Sequence, residues 1–243
     1  MDISAPDFTT ARQLMVDGQL RPTKVNDPRV LEAMRRLPRE RFLPPAAASL
    51  AYIDEDVPLP GGRALMEPLV LARLIQLAAP RAGERALVIG AGTGYGAAVL
   101  AATGASVVAL EEDKTLLALA RGALAALAPS VVLAEGPLAA GWPSGAPWDL
   151  IFIEGAVPAV PAAIAEQLRA EAGRLVTVLA PSGLAPSGLA PSGLAAPGSA
   201  SAGHGIGRAV LAERTAAGLA MRPAFDCATP MLPAFRPAPG FVF

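Results

Sequence analysis

Apolar and polar positions along this chain repeat with two periods, and the switches between them lay out the elements. Val30, Leu31, Met34 and Leu37 share one helical face; Asp27 supplies an N-cap, Pro28 suits the first helical position and Pro38 stops the helix. An earlier helix is expected from a cap at Thr9 or Thr10 to about Val16, with Gly18 ending it. Pro44 to Gly62 is rich in proline, glycine and acids and reads as a loop. It leads to a helix starting near Pro68 that is apolar on most sides, and burial is predicted for it. Strand patterns follow at Arg85–Ile89, Ser106–Leu110, Val131–Ala134, Leu150–Ile153 and Arg174–Leu179. Helices are expected between them, to about Thr103, from about Thr115 to Leu127, and over Pro161–Leu168. Runs of apolar and β-branched residues alternating with helices indicate an α/β domain with a parallel sheet buried on both faces.

The periodicity breaks after Leu179. LAPSG occurs three times up to Gly193, and a Gly/Ser/Ala run continues to Gly207. Proline and glycine in every copy deny it helix and ladder bonds, so it reads as a low-complexity insertion. Regular structure is expected again at Arg208–Arg214, and Ala224–Phe243 reads as a closing strand and tail anchored by Phe225, Phe235, Phe241 and Phe243.

Composition then narrows the chemistry. The chain has 243 residues, 53% of them hydrophobic, and a formal net charge of −1 from 20 basic and 21 acidic side chains. That balance offers no field for nucleic acid or an anionic membrane. Arg35, Arg36, Arg39 and Arg41 alternate with Glu32 and Glu40 and read as a solvated face. The apolar stretch Leu69–Ala79 is short and interrupted by Arg73 and Gln76, and no secretory signal opens the chain, so no membrane contact and a cytoplasmic setting are expected. A single cysteine, Cys227, excludes an intrachain disulfide and is expected to pack as a small core residue. A single histidine, His204, argues against a histidine-based metal site and a Ser-His-Asp triad, and reads as a solvated loop residue.

The candidate chemistry lies at RALVIGAGTGY, Arg85–Tyr95, where a buried strand runs into a glycine turn and a helix opens behind it. Glycine suits such a turn because positive φ is required and polar ligand groups must approach the backbone closely. Glu111 stands 21 residues after Gly90, at the end of the next strand, near the spacing at which an acid accepts hydrogen bonds from a ribose. A nucleoside cofactor follows. A dinucleotide register survives on Gly92, Gly94 and Ala97, while the G-x-G-x-G-Y spacing from Gly90 fits S-adenosylmethionine better.

With these pieces in order, the chain resembles the protein-L-isoaspartate O-methyltransferases. The resemblance is carried by Asp27–Pro44, Ala51–Asp54, Val57–Pro68, the glycine turn through Tyr95, Val107–Glu111, Glu135 with Gly136, Gly141–Pro143 and Ala146–Ile153. It implies a Rossmann-like methyltransferase fold: a mostly parallel seven-stranded sheet with a C-terminal antiparallel hairpin and an N-terminal helical extension. It also implies S-adenosylmethionine as cofactor, held by Gly90, Ala91, Gly92, Thr93, Gly94, Tyr95, Glu111 and Glu112, with Glu135 and Gly136 beside the adenine. The expected partner is a protein or peptide acceptor carrying a carboxylate, with no metal. The single domain divides into a helical extension and acceptor loop (1–80), a cofactor-binding core (81–180), the insertion (181–207) and closing strands (208–243).

The acceptor loop departs from the family pattern. Ala64, Leu65, Met66, Glu67 and Pro68 stand where the family has threonine, isoleucine, serine, glutamine and proline, so Met66 takes the place of a hydroxyl at the reaction centre. Arg63 replaces a glutamine, and its guanidinium suits an acceptor carboxylate. Glu67 and Glu154 would repel that carboxylate if ionised and turned inward. Beside carboxyl methylation two other readings stand: a binding protein that keeps the cofactor without turnover, and a methyltransferase with a different acceptor.

Overall fold

The computed structural model describes residues 7–181 and 205–236; most of the LAPSG insertion, His204, Phe241 and Phe243 lie outside the described residues. In chain order the elements are α1 (Phe8–Leu14), α2 (Pro28–Arg36), β1 (Val57–Leu59), β2 (Arg63–Leu65), α3 (Pro68–Ala78), β3 (Arg85–Ile89), α4 (Tyr95–Ala102), β4 (Ser106–Glu111), α5 (Lys114–Leu127), β5 (Val132–Glu135), β6 (Leu150–Val157), α6 (Ala162–Ala165), β7 (Arg174–Leu179), β8 (Gly207–Thr215) and β9 (Gly218–Cys227). Strands β1 and β2 form a small antiparallel pair, and the other seven form one sheet in the order β5-β4-β3-β6-β7-β8-β9. The first five of these run parallel; β8 and β9 are antiparallel and close the sheet.

Alternation along the strands sorts the core into two layers. Ala86, Val88, Leu150 and Phe152 face the side covered by α2 to α5, while Leu87, Ile89, Ile151 and Ile153 face Trp148, Ile164 of α6, Leu232 and Phe235. Both faces are thus dry, as the unbroken apolar strands require. Arg174 ties the layers at one end: its guanidinium donates to the Ala78 and Ala79 carbonyls at the C-terminus of α3 and pairs with Glu84 at 2.6 Å. Cations are favoured at that helix end.

The α2 cap is as expected, with Asp27 accepting from the Arg29 N–H. Elsewhere the boundaries move. Helix α1 is capped by Asp7 rather than by a threonine; the Asp7 carboxylate accepts from the Thr9 and Thr10 amides. Past Leu14 the chain continues as a π-helix over Met15–Leu20, so Gly18 lies inside a wider turn. Helix α6 is shorter than the expected Pro161–Leu168. The Gln167 carbonyl accepts from the Trp148 amide and Arg169 donates to the Trp148 carbonyl, which draws the segment out of the helix and alongside Trp148. Strand β6 runs on to Val157 through a bulge between Phe152 and Ala156. Strand β9 starts at Gly218, before the expected Ala224. Phe225 anchors it under the Arg73 guanidinium, 3.7 Å from the ring centroid, and Cys227 is half-buried.

Leu179 pairs with Arg208 across β7 and β8, so the two ends of the inserted segment are neighbours in a ladder. Replacing residues 182–204 with a short turn should therefore keep the fold. Loop-closure entropy favours the shorter link by about 1–2 kcal/mol, so a raised or unchanged thermal midpoint is expected. A large drop would show that the segment packs on the core.

Candidate functional site at the carboxyl edge of the sheet

Strand order reverses between β3 and β6, and ligands of open α/β sheets bind outside the strand C-termini at such a point. The glycine turn follows β3 there. Gly90, Gly92 and Gly94 have φ of 77°, 57° and 93°, and a Cβ at Gly94 would lie 2.9 Å from Leu124, so the turn needs glycine for both conformation and space. The Gly90 and Ala91 amides both donate to the Leu110 carbonyl, which ties the turn to β4. Ala91 and Thr93 are buried within it, and the Thr93 hydroxyl has no hydrogen-bond partner. Tyr95 sits in the core beneath, its ring edge-on to Phe42 and 4.9 Å from the Arg39 guanidinium; burial pushes its phenol pKa up to about 12.

Glu111, at the end of β4, is fully buried. Its carboxylate accepts from the amides of Gly92 (2.8 Å), Glu112 (2.9 Å) and Asp113 (3.1 Å), and from Arg63 Nη1 at 2.9 and 3.1 Å. Arg63 Nη2 donates to the Gly90 carbonyl at 2.7 Å. Thus Arg63 spans the turn and the acid, and in this arrangement it does not extend toward an external carboxylate. Glu112 is exposed and accepts from the Leu138 amide. Glu135 stands in register with Glu111 on β5 and is exposed, and the Gly136 amide donates to the Glu111 carbonyl. Trp142 lies against Gly136, 3.3 Å from where a Cβ would stand.

A second group of residues adjoins this one. Arg63, Ala64, Met66, Glu154, Gly155 and the segment Thr229–Leu232 line a small cavity. Met66 is buried, and its carbonyl accepts from Arg39 Nη2 at 2.6 Å. The bulge in β6 places Glu154 here. Its Oε2 is shielded and unpartnered, and its carboxyl would collide with a Cβ on Gly96 in the first turn of α4. Burial outweighs the attraction of Arg63 and Arg39 and lifts the Glu154 pKa to about 8. Glu67, half-buried among Asp54, Glu55 and Asp56, is lifted to about 7, first by burial and then by those acids. Of the two carboxylates only Glu154 lines the cavity, and its raised pKa weakens the repulsion expected there at neutral pH. A roomier groove bounded by α2, α4 and α5 contains none of these residues.

Two contributors escaped the sequence reading. Arg39, expected on a solvated face, is fully buried: Nε donates to the Ala51 carbonyl and Nη2 to that of Met66, clamping the acceptor loop. Burial pulls its pKa below the usual arginine value. Of the groups around it, only Phe42 lies close enough in sequence to have hinted that this arginine had an interior to enter. Leu232 is the other. Its amide donates to the Ala156 carbonyl, and its side chain lies over Gly90 and Gly155, whose missing Cβ atoms leave the room it fills.

The family model of protein-L-isoaspartate(D-aspartate) O-methyltransferase matches residues 11–184. The chain belongs to this family. It is 43% identical over 178 residues to a protein-L-isoaspartate O-methyltransferase of Methylorubrum extorquens, covering 73% of this chain and 78% of that one. It is 41% identical over 166 residues to one of Methanoregula boonei, covering 68% and 76%. A solved protein-L-isoaspartate O-methyltransferase superposes with a TM-score of 0.70 at 24% identity, covering 91% of this chain and 65% of that one. A Plasmodium falciparum structure assigned to the same enzyme type, in complex with S-adenosyl-L-homocysteine, gives 0.70 at 16% identity over 95% and 100%. At those identities the two structures speak to the fold. The family is one of S-adenosylmethionine-dependent O-methyltransferases, so this chain is an enzyme and S-adenosylmethionine its cofactor.

The residues present fit that cofactor. A Cβ at Gly92 would meet nothing nearer than Leu59 at 3.9 Å, so the turn is open at its middle, and the unpartnered Thr93 hydroxyl and the Glu111 carboxylate stand beside it. Among the described residues no cluster of acids, cysteines or histidines could hold a metal ion, and no helix is long and apolar enough to cross a membrane.

Glu154 gives this site a pH signature. Its carboxyl is protonated in the folded protein up to about pH 8 but ionises from about 4.5 when unfolded, so the folded state holds the extra proton and stability falls as pH rises between those values. The slope approaches about 1.4 kcal/mol per pH unit at most. Glu154→Gln should flatten this fall, raising the denaturation midpoint at pH 8 and leaving it little changed at pH 4. An unaltered pH profile in the variant would show that Glu154 is ionised in the folded protein.

Proposed function

We propose that this enzyme transfers a methyl group from S-adenosylmethionine to the carboxylate of an isoaspartyl residue in damaged protein. The observation that carries this reading is the extent of the family match: residues 11–184 include the glycine turn, Glu111 and the whole acceptor loop. Bound at the turn, S-adenosylmethionine supplies an activated methyl group. The chain's task is then alignment and exclusion of water, since an ionised carboxylate needs no base to make it nucleophilic. We assign Gly90 to Tyr95, Glu111 and Glu112 to holding the cofactor, Glu135 and Gly136 to the neighbourhood of its adenine, and the cavity bounded by Arg63 and Met66 to the acceptor. A role in protein repair and a cytoplasmic setting follow from this reading, and the near-neutral charge favours a protein acceptor over nucleic acid.

Met66 sets the rate in this reading. It brings a thioether where the family pattern has a hydroxyl, and loss of one hydrogen-bond donor to the reacting group costs on the order of 10² to 10³ in rate in other enzymes. Methyl transfer to an isoaspartyl peptide should be detectable but slow, and Met66→Ser should accelerate it without changing affinity for S-adenosylhomocysteine. No transfer by either form to the isoaspartyl peptide, with transfer to another acceptor, would overturn the assignment of substrate.

A further inference from the structure

Arg63 occupies two groups at once. Nη1 covers both oxygens of Glu111 and Nη2 takes the Gly90 carbonyl, while the same side chain lines the cavity shared with Met66 and Glu154. The pair is closed off from solvent, with side-chain exposures of 6% and 0%. Glu111 holds three backbone amide donors besides Arg63, so the guanidinium is the one donor set on it that a side-chain rotation can remove. A ribose diol reaching Glu111 brings its own donors and can replace it. The displaced cation then needs new acceptors, of which a carboxylate is the strongest.

We propose that Arg63 is a latch that orders binding: with the cleft empty it is held by Glu111 and Gly90, and the cofactor's ribose, by taking Glu111, releases it into the adjoining cavity to bind the acceptor carboxylate. This inference rests on the functional reading above and adds the order of binding and the residue that enforces it. Charge in the cavity supports the direction of the exchange. Glu154 is the carboxyl nearest to hand there, and with Arg63 held by Glu111 burial lifts its pKa to about 8, so at neutral pH it does not compete with Glu111 for the guanidinium while the cleft is empty. Leu65 and Met66 are buried on the C-terminal side of Arg63, and Arg39 fixes the Met66 carbonyl, so the loop stays in place while the side chain turns. Because binding couplings are reciprocal, the acceptor must tighten the cofactor by the same factor that the cofactor tightens the acceptor.

Calorimetry on the full chain reads both halves, with S-adenosylhomocysteine and an isoaspartyl peptide as the probes. The native protein should bind the peptide more tightly when S-adenosylhomocysteine is present, by a factor on the order of 5 to 150. Arg63→Gln removes the latch and the acceptor cation together. It should bind S-adenosylhomocysteine about tenfold or more tighter and lose the cofactor-dependent gain in peptide affinity. Arg63→Lys, a milder change whose point charge cannot span Glu111 and Gly90, should shift cofactor affinity in the same direction and keeps the test open if the glutamine variant fails to fold. Unchanged S-adenosylhomocysteine affinity in a folded variant would overturn the latch whatever the acceptor is. Tighter cofactor binding in Arg63→Gln, with peptide affinity in the native chain indifferent to S-adenosylhomocysteine, would overturn the ordered sequence. Absence of peptide binding and methylation in every state would instead sink the isoaspartyl reading, and the acceptor half of the latch with it.

Discussion

The buried carboxylate of Glu111 is the constraint around which this edge of the molecule is assembled. An ion of that kind without partners costs several kcal/mol, and here its partners come from three separate stretches of chain. Gly92 supplies an amide from the turn after β3, Glu112 and Asp113 supply amides from the start of the next crossover, and Arg63 supplies a guanidinium from the first residue of β2. Satisfying one carboxylate therefore fixes where the acceptor loop sits relative to the glycine turn. The Gly90 and Ala91 amides, both spent on the Leu110 carbonyl, complete the lock from the backbone side.

What surrounds that lock follows from how few charges can be kept there. Arg39 enters the interior because three requirements are met together: carbonyls of Ala51 and Met66 to accept from it, and the Tyr95 ring to face its cation. Glu154 has no comparable set. The bulge that accommodates Gly155 points it into the cavity, where its Oε2 finds no donor, and the carboxyl meets this by holding its proton rather than by pairing. Of these charged groups only Arg63 and Glu154 line the cavity, so its net character at neutral pH is set by where Arg63 points.

Local signals told most of the fold. The parallel strands are legible as largely apolar runs of four to six residues, and the aspartate cap and proline positions mark α2 from neighbouring residues alone. The glycine turn and Glu111 were legible for the same reason, since strand, turn and acid lie within one crossover. The errors occurred where distant chain segments decide. α6 stops early because Trp148, on another stretch, offers backbone bonds to the residues that would have continued it. Arg39 looked solvated because the carbonyls it binds belong to Ala51 and Met66, 12 and 27 residues onward. Leu232 could not be placed over Gly90 from sequence, because nothing near it signals a contact with the central strands β3 and β6.

The departures from the family pattern make more physical sense as a set than one at a time. A methionine in place of a hydroxyl removes a donor from the acceptor cavity. An arginine in place of a glutamine adds a cation beside it, next to a Glu154 carboxyl whose pKa burial lifts to about 8. Under the proposed function, a carboxylate entering this cavity would exchange one neutral hydrogen bond for a guanidinium and a protonated acid, a change from dipolar to ionic recognition. Charge-assisted bonds of this kind are roughly twice as strong as neutral ones, but they act on the bound carboxylate as much as on the reacting one. Interactions felt equally in ground and transition states tighten binding without raising turnover. If the cavity holds the acceptor as proposed, its acceptor side favours capture over speed, while the glycine turn and Glu111 keep the family's pattern and Val88 stands where the family commonly has a glutamate.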